Sequence, residues 1–218
     1  SSPPPLSAPA AQSRWWHEVP LSDSCGRMRN LAAWQPSAQL RLGSTPVHPL
    51  QRGANGMPTP DSITIVPFRP EFAPAFTELN RAWIERLFAL EPADWKVLRD
   101  PKAAILDPGG QIFFALDGAV VVGTVAAVRE SPTSFELAKM AVAPTHQGRG
   151  LGLRLGQAVV DFARVSGAEL LFLLTNSRLG NAIRLYERLG FRPAPPPSHS
   201  EYVRADVYME LRFGRHEG

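Results

Sequence analysis

The feature that most constrains this chain is a short glycine-rich turn near its middle, at residues 147–152. The apolar segment 135–142 runs into this turn, and a segment with an apolar stripe, 151–162, runs out of it. Three alternating glycines allow the backbone to approach a ligand closely. The N-terminus of the following helix adds unpaired N–H groups and the positive end of the helix dipole. The sequence therefore predicts an anion site suited to a phosphate or a diphosphate.

Three kinds of glycine-rich phosphate loop compete for this segment. A P-loop requires Lys directly after its last glycine, but Leu153 follows Gly152 here. A dinucleotide-binding turn requires the spacing G-x-G-x-x-G and an acidic residue about twenty residues further on, at the end of the second strand. Here the spacing is G-x-G-x-G, and Glu169 begins the next predicted strand. The P-loop interpretation therefore fails, and the dinucleotide-binding interpretation is weak.

The third kind of loop matches the sequence. The segment Gln147-Gly148-Arg149-Gly150-Leu151-Gly152 resembles the Q/R-x-x-G-x-G/A loop of the GNAT superfamily of N-acetyltransferases. Upstream, the segment 135–142 (FELAKMAV) resembles the fourth strand of that family. Downstream, the segment 182–191 (AIRLYERLGF) resembles its A-I-x-L-Y-E-x-x-G-F helix. The three segments also match in order and spacing, and the resemblance covers roughly residues 61–213.

The resemblance implies an acyltransferase that moves an acetyl group from acetyl-CoA, its co-substrate, to a primary amine by direct attack in a ternary complex. In that family the loop holds the diphosphate through backbone N–H groups. The fourth strand diverges from the fifth, so that its free backbone groups pair with the pantetheine arm. The residues expected in these two roles are Met140, Ala141, Val142, Gln147, Gly148, Arg149, Gly150, Leu151 and Gly152. Arg149 and Arg154 are also candidates for bringing charge to a phosphate.

Two side chains are candidates for the proton transfers. The resemblance places Tyr186 near the sulfur of the co-substrate, and a phenol with a pKa of about 10 holds a donatable proton at neutral pH. Glu136 lies on the strand that resembles the family's fourth, where the histone-acetylating branch carries a glutamate base. Alternation along the strand predicts that Glu136, Met140 and Val142 share one face. A carboxylate in a partly apolar cleft there could deprotonate an ammonium group.

One position departs from the family pattern. Many members carry Asn seven residues before the tyrosine, in contact with the co-substrate, and Leu179 occupies that position here. Asn176 and Asn181 lie nearby, and either is a candidate for the same contact. Asn176 directly follows a predicted buried strand, at the carboxyl end where ligands usually bind.

The acceptor is less well specified. The resemblance assigns its cleft to residues 80–91, 193–197 and 201–202. Glu85 and Glu91 could hold a cationic amine there, although such glutamates are usually solvated. The sequence does not choose between a small-molecule amine and a peptide amine. His146 and His199 lack an acidic or metal-ligand partner at a readable spacing, so neither receives a role and no metal site is predicted.

Hydrophobic periodicity predicts a mixed α/β (α+β) layer architecture independently of the motif. Runs of period two, separated by turns such as Asp117-Gly118, indicate strands, and stripes at three- and four-residue steps indicate helices. The predicted strands are 63–67, 111–116, 119–129, 135–142, 170–174, 201–204 and 207–213, and the predicted helices are 70–91, 151–166 and 181–189. This order, β-α-β-β-β-α-β-α-β-β, with six to seven strands in one mixed sheet, is also that of the GNAT fold.

Residues 1–60 differ from the rest of the chain. They are rich in Pro, Ser and Ala and sustain neither period. Because proline interrupts both helices and strands, we expect a disordered extension here and an N-acetyltransferase domain at 61–218. Met57 immediately precedes the domain-like sequence and is a candidate for the true start.

Composition excludes several classes of protein. The formal net charge of +3 is too small to imply nucleic acid, and the arginines are scattered without a stacking-aromatic motif. Cys25 is the only cysteine, so an internal disulfide is excluded, which fits a reducing compartment. No apolar run reaches the length of a membrane span, so a cytoplasmic protein is expected, and a homodimer is compatible with the resemblance. The alternative to an enzyme is a module that binds acyl-CoA and reports it to a partner without turnover.

Overall fold

The described part of the chain alternates strands and helices. The structure, a computed structural model, describes residues 63–196 and 202–214, so the predictions for residues 1–60, including Met57 and Cys25, lie outside the described residues. The strands are β1 (Ile63–Pro67), β2 (Gln111–Asp117), β3 (Val120–Ser131), β4 (Ser134–Val142), β5 (Leu170–Thr175), β6 (Arg192–Pro193) and β7 (Val207–Arg212). The helices are α1 (Ala73–Leu87), α2 (Pro92–Arg99), α3 (Leu151–Val165) and α4 (Gly180–Arg188).

The strands form one mixed sheet in the order β1-β2-β3-β4-β5-β7-β6. Neighbouring strands are antiparallel except β4 and β5, which are parallel. A parallel pair needs a long crossover connection, and α3 provides it. The mixed α/β architecture and the strand number predicted from the sequence are confirmed.

Helices cover both faces of this sheet. Helix α3 packs against β2, β3 and β4 on one face, and α1 packs against β3 and β4 on the other. Alternation along β2 divides the core between these faces, since Phe113 contacts Phe162 of α3 whereas Phe114 contacts Phe72 just before α1. Both rings are fully buried, and burying a phenylalanine side chain contributes roughly 1.5–3 kcal/mol.

Helix α2 is an element that the sequence analysis missed. We expected one helix to run to Glu91-Pro92 and the next residues to be irregular, but α1 ends at Leu87 and Pro92 begins α2. A capping box explains the second start, because the Glu91 side chain accepts from the backbone of Asp94 while the Glu91 N–H donates to the Asp94 carboxylate over 2.9 Å. Proline at the first helical position supports the same start.

The strand that pairs with β7 also differs from the prediction. We expected residues 201–204 to form it, but Arg192–Pro193 (β6), which lies outside every predicted strand, pairs with β7 instead. Residue 201 lies outside the described residues, and the segment that begins at Tyr202 is a turn closed by the Ala205 N–H donating to the Tyr202 carbonyl. The side chain of Arg204 in this turn contacts Asp94 of α2. A strand paired with β7 would not need this contact.

Candidate active site

Strands β4 and β5 diverge, and the gap between them is the centre of the candidate site. The two strands pair only where residues 134–136 meet residues 170–172. Beyond that point β5 continues beside β7 and β4 continues beside β3. The edge of β4 from Leu137 to Val142 therefore faces an opening, which agrees with the divergence that the family resemblance implied.

A β-bulge interrupts β4 beside this gap. Two steps along β3, from Thr124 to Ala126, are matched by three steps along β4, from Ala141 to Ala138. Lys139 lies inside the bulge with φ of 52°, in the left-handed region. Such a conformation costs a non-glycine residue about 1–2 kcal/mol, and bulges of this kind redirect side chains near functional sites.

The glycine-rich loop leaves donors exposed at the start of α3. Gly148 and Gly150 have φ of 75° and 77°, and a Cβ at either position would have nothing within 4 Å. Backbone conformation, not space, therefore requires glycine at both positions. Gly150 precedes α3 without a side-chain cap, so the N–H groups of the first helical turn have no acceptor in a preceding turn. This arrangement is suited to an anion.

Gly152 has a different role in packing. A Cβ on Gly152 would stand 2.6 Å from Cδ1 of Leu185, and one on Gly156 would stand 2.4 Å from Cδ1 of Leu189. Leu185 lies on α4 and Leu189 directly follows it. These two glycines therefore allow α3 and α4 to approach each other closely. The expectation that Gly152 donates its N–H to a diphosphate stays a prediction.

One cavity of about 610 Å³ joins the gap to several predicted residues. Of the predicted site residues, those that line it are Glu136, Met140, Ala141, Val142, Gln147, Asn176, Asn181 and Tyr186. The other predicted residues, Gly148 to Gly152, lie beyond Gln147 at the start of α3 and outside this lining. The structure thus brings both candidate proton-transfer residues into one space beside the open edge of β4.

Tyr186 lies on α4, and its side chain lines the cavity. Burial raises the pKa of Tyr186 to about 12. Its ring packs edge-on against Phe191 at a centroid distance of 6.1 Å, and none of the described residues is hydrogen-bonded to its hydroxyl. A phenol in this position keeps its proton at neutral pH and can donate it into the cavity.

Glu136 lies on the other face of the sheet from α3. Its neighbour Phe135 packs on Phe162 of α3, so alternation directs Glu136 to the opposite face. The expectation that Met140 shares the face of Glu136 is wrong, because the bulge intervenes and the Met140 methyl lies 3.4 Å from where a Cβ of Gly156 would stand. Glu136 and Tyr186 therefore reach the cavity from opposite sides of the strand gap.

The two candidate asparagines already make local hydrogen bonds. Asn176 donates from Nδ2 to the carbonyl of Arg204 over 2.6 Å and accepts from the N–H of Arg178 over 3.0 Å. Asn181 accepts from the guanidinium of Arg184. Both line the cavity, and their contact with a co-substrate stays a prediction.

The two arginines beside the loop differ in their surroundings. Arg154 donates to the carbonyl of Ile63 over 2.7 Å, so its guanidinium fastens α3 to β1. Arg149 is exposed at the start of α3. Of the two, Arg149 is thus the better placed to bring charge to a phosphate.

Sequence reasoning missed a buried ionic cluster on the α2 side of the gap. The cluster consists of Asp94, Lys139, Tyr202 and Arg204, which come from three separate parts of the chain. Fully buried Asp94 accepts hydrogen bonds from Lys139 over 2.9 Å and from both terminal nitrogens of Arg204 over 2.7 and 2.8 Å. Lys139 also donates to the hydroxyl of Tyr202 over 2.8 Å. The bulge in β4 makes this contact possible, because it directs Lys139 toward α2.

The charges of the cluster support one another. Burial would raise the pKa of Asp94, but the hydrogen bonds from Arg204 and the charge of Lys139 hold that pKa below its ordinary value. Burial would lower the pKa of Lys139, but Tyr202 and Asp94 hold it above its ordinary value. Burial raises the pKa of Tyr202, and the negative charges of Glu136 and Asp94 raise it further against the opposing effect of Lys139.

Two further side chains, Glu91 and His146, have partners that the sequence analysis did not predict. Glu91 does not face an amine, since it accepts from the N–H groups of Val203 and Arg204 and from the Arg204 guanidinium over 3.0–3.3 Å. It therefore fastens the turn after Tyr202 to α2. His146, to which we could assign no acidic partner, lies 3.2 Å from the carboxylate of Asp117, so it links the β2–β3 hairpin to the start of the glycine-rich loop.

Residues 63–196 and 202–214 contain neither a candidate metal site nor a candidate membrane span. No group of three or more His, Cys, Asp or Glu side chains there could hold a metal ion. None of the helices in this part of the chain has the length and apolar character needed to cross a membrane.

Comparison with known proteins gives a consistent result. Residues 71–191, more than half of the chain, match the sequence profile of the acetyltransferase (GNAT) family. The chain is 34% identical over 100 residues to N-acetyltransferase family 8 member 2 of Rattus norvegicus, and this match covers 44% of each chain. It is 33% identical over 116 residues to N-acetylaspartate synthetase of Homo sapiens, covering 52% of this chain and 38% of the relative. The chain thus spans less than half the length of these curated relatives.

Solved structures share the fold. An acetyltransferase of the GNAT family from Staphylococcus aureus Mu50 superposes with a TM-score of 0.62 at 19% identity, covering 69% of this chain and 98% of that one. The phosphinothricin acetyltransferase of Sinorhizobium meliloti, solved in complex with acetyl-CoA, superposes with a TM-score of 0.58 at 17% identity and covers 70% of this chain and 89% of that one.

Proposed function

Because the chain belongs to the acetyltransferase (GNAT) family, we propose that it transfers an acetyl group from acetyl-CoA to a primary amine by direct attack in a ternary complex. The observation that carries this proposal is the presence of three features at one cavity or directly beside it. These are the open edge of β4, the exposed donors at the start of α3, and a protonated phenol on α4. The names of the relatives, which refer to N-acetyltransferases and N-acetylaspartate synthesis, support an amine acceptor.

The residues present fit acetyl-CoA. A diphosphate carries negative charge that the N–H groups of residues 148–152 and the α3 dipole would stabilise. The unpaired backbone groups of β4 from Leu137 to Val142 would pair with the amide groups of a pantetheine arm, as one strand pairs with another. A fold neighbour has been solved in complex with the same molecule, which supports this assignment.

The chain's own residues would then move two protons. Acetyl-CoA supplies the thioester whose carbonyl carbon the amine nitrogen attacks, and the bond from that carbon to sulfur breaks. Glu136 accepts a proton from the ammonium form of the acceptor, directly or through water, because only the neutral amine is a nucleophile. Tyr186 donates its hydroxyl proton to the departing sulfur, and the second proton that the nitrogen loses as the amide forms passes through solvent to the Tyr186 phenolate. Since the two side chains approach from opposite sides of the gap, base and acid would each face one partner of the reaction.

The chain organisation is part of the proposal. We propose that residues 61–218 form the N-acetyltransferase domain and that residues 1–60 are an extension outside it. The family match to residues 71–191 supports the position of the domain. If the fragment 57–218 and the full chain release thiol at equal rates, this boundary is supported.

The experiment that tests the function is a thiol-release assay with acetyl-CoA and a panel of primary amines, with products identified by mass. We expect release of CoA together with an acetylated amine. Tyr186→Phe should lower kcat by about a hundredfold or more, since general acid catalysis contributes roughly 10²–10⁴-fold. Tyr208→Phe is the matched control, because Tyr208 is also buried but lies on β7 outside the cavity lining.

One outcome would contradict the proposed transfer, and another would contradict only the role of Tyr186. Binding of acetyl-CoA without thiol release across the whole panel would favour a non-catalytic acyl-CoA sensor. Equal kcat values for Tyr186→Phe and Tyr208→Phe would leave the transfer itself in place and remove Tyr186 from its role.

A further inference from the structure

The charge of the cavity lining is strongly biased. Among the described residues, six charged side chains line the cavity, and five of them are cations. They are Arg86, Lys139, Arg178, Arg184 and Arg204, with Glu136 as the single carboxylate. An acceptor that enters this cavity therefore meets mainly positive charge.

Two of these cations have carboxylate partners behind the cavity wall. Lys139 and Arg204 both bind Asp94, which is fully buried and does not line the cavity. Arg204 also binds Glu91 over 3.0 Å. Two cations and two carboxylates thus leave this part of the wall close to neutral.

A third cation lies on the co-substrate side of the sheet. Arg184 belongs to α4, which packs on α3 through the close approach of Leu185 to Gly152. The start of α3 is where the proposed function places the diphosphate. Arg184 is therefore accounted for by the negative charge of the co-substrate.

Two cations of the cavity lining, Arg86 and Arg178, then remain for the acceptor. Arg86 lies in the last turn of α1, and Phe88 directly follows that helix. The guanidinium of Arg178 stacks over the ring of Phe88 at 5.6 Å. In the described part of the chain no carboxylate forms an ion pair with Arg86 or Arg178, and Glu85, the nearest acidic residue in sequence, pairs with Arg81 instead.

We infer that the acceptor is a small amine that carries a carboxylate, such as a free amino acid. Arg86 and Arg178 bind its carboxylate beside Phe88, and its amino group lies toward Glu136. A guanidinium presents its donors in a fork that matches a carboxylate. A polyamine brings only positive charge to the same rim and is disfavoured by like-charge repulsion.

This inference rests on the proposed function, and a comparison of matched acceptors separates the two. The wild-type chain is assayed for thiol release with amino acids, with the corresponding amino-acid amides, and with spermidine. Each amide keeps the amine and the side chain and lacks only the free carboxylate. We expect kcat/KM to be at least about tenfold higher for the amino acid than for its amide, the size of effect typical of one charge-assisted hydrogen bond.

Variants of the two arginines identify the contact. Arg86→Gln and Arg178→Gln should each raise the KM for the amino acid about tenfold or more. The KM for acetyl-CoA and the rate with the amide should stay unchanged, which a loss of folding would not allow. Arg81→Gln is the matched control, since Arg81 lies on the same helix, is exposed, and does not line the cavity.

The possible results are distinct. A carboxylate preference that both variants lose, and that Arg81→Gln keeps, supports the inference. Equal rates with amino acids, amides and spermidine would overturn the inference and leave the proposed function intact. Absence of thiol release with every acceptor would overturn the proposed function and this inference with it.

Discussion

Replacing Asp94 by Asn tests whether burial, more than distance, gives an ion pair its strength. Asp94 is fully buried and accepts four hydrogen bonds, from Lys139, from two nitrogens of Arg204 and from the N–H of Glu91. Asn at this position keeps the shape but removes the charge, and its amide places N–H donors against cationic donors. Arg204 then keeps the carboxylate of Glu91, whereas Lys139 keeps the hydroxyl of Tyr202 and loses its charged partner. Removing one partner of a buried ion pair typically costs about 3–5 kcal/mol.

The matched control is Asp107→Asn. Asp107 binds Lys102 over 2.6 Å, a shorter distance than the 2.9 Å between Asp94 and Lys139. Both side chains of the control pair are more than half exposed, whereas those of the buried pair are 6% and 0% exposed. Exposed pairs are screened by water and contribute little, so Asp107→Asn should leave stability unchanged within error.

Urea unfolding of the three proteins, followed by circular dichroism, measures both effects. We expect Asp94→Asn to lower the free energy of unfolding by about 3–5 kcal/mol at neutral pH with an unchanged m-value. Equal losses for Asp94→Asn and Asp107→Asn would refute the reasoning from burial. A loss below about 1 kcal/mol for Asp94→Asn would refute the claim that the cluster holds α2, β4 and the turn after Tyr202 together.

Three further predictions concern pH, catalysis and the loop. The pKa of Asp94 in the folded chain lies below its ordinary 3.8. The contribution of the Asp94 carboxylate to the free energy of unfolding is therefore present above pH 3.8 and disappears as the pH falls through the folded pKa. Urea titrations should accordingly show the stabilities of the wild type and Asp94→Asn converging in acid. Because the pKa of Tyr186 is about 12, a pH–rate profile should show no loss of acid catalysis up to about pH 11, and a basic limb near pH 9 assigned to Tyr186 would contradict its role. Gly150→Ala should weaken CoA binding in calorimetry through strain at φ of 77°, whereas Gly167→Ala, with the same φ of 77° beyond the other end of α3, should not. Equal affinities for both variants would exclude a role for the loop backbone.

Local signals explain which parts of the fold could be predicted. The strands β2 and β3 follow from alternation around the Asp117-Gly118 turn, and α3 follows from its stripe between Gly150 and Gly167. These signals lie within a few residues of the element that they define. The missed helix α2 also had a local signal, the capping box from Glu91 to Asp94 with proline between them. A search for capping boxes would have found it only if it admitted Glu at the N-cap and Asp three residues later, because the usual pattern is Ser or Thr followed by Glu or Gln.

Other features depend on contacts that sequence spacing does not reveal. Strand β6 has only two residues, too few for a period, and it exists because Arg192 and Pro193 meet β7. The ionic cluster joins Asp94 to residues 45 and 110 positions away. The bulge at Lys139 places a lysine at positive φ, which no local preference favours. The structure brings most of the predicted site residues to one cavity. The charged groups of the ionic cluster beside them depend on contacts between distant parts of the chain, which the sequence does not reveal.

The most direct test of the proposed function is titration calorimetry of the full chain with CoA and, separately, with pantetheine, which lacks the diphosphate. We expect CoA to bind at least about a hundredfold more tightly, because several backbone N–H groups at the start of α3 would each contribute a charge-assisted hydrogen bond. Equal affinity for the two molecules, or no heat with CoA, would contradict the assignment of residues 147–152 to the diphosphate.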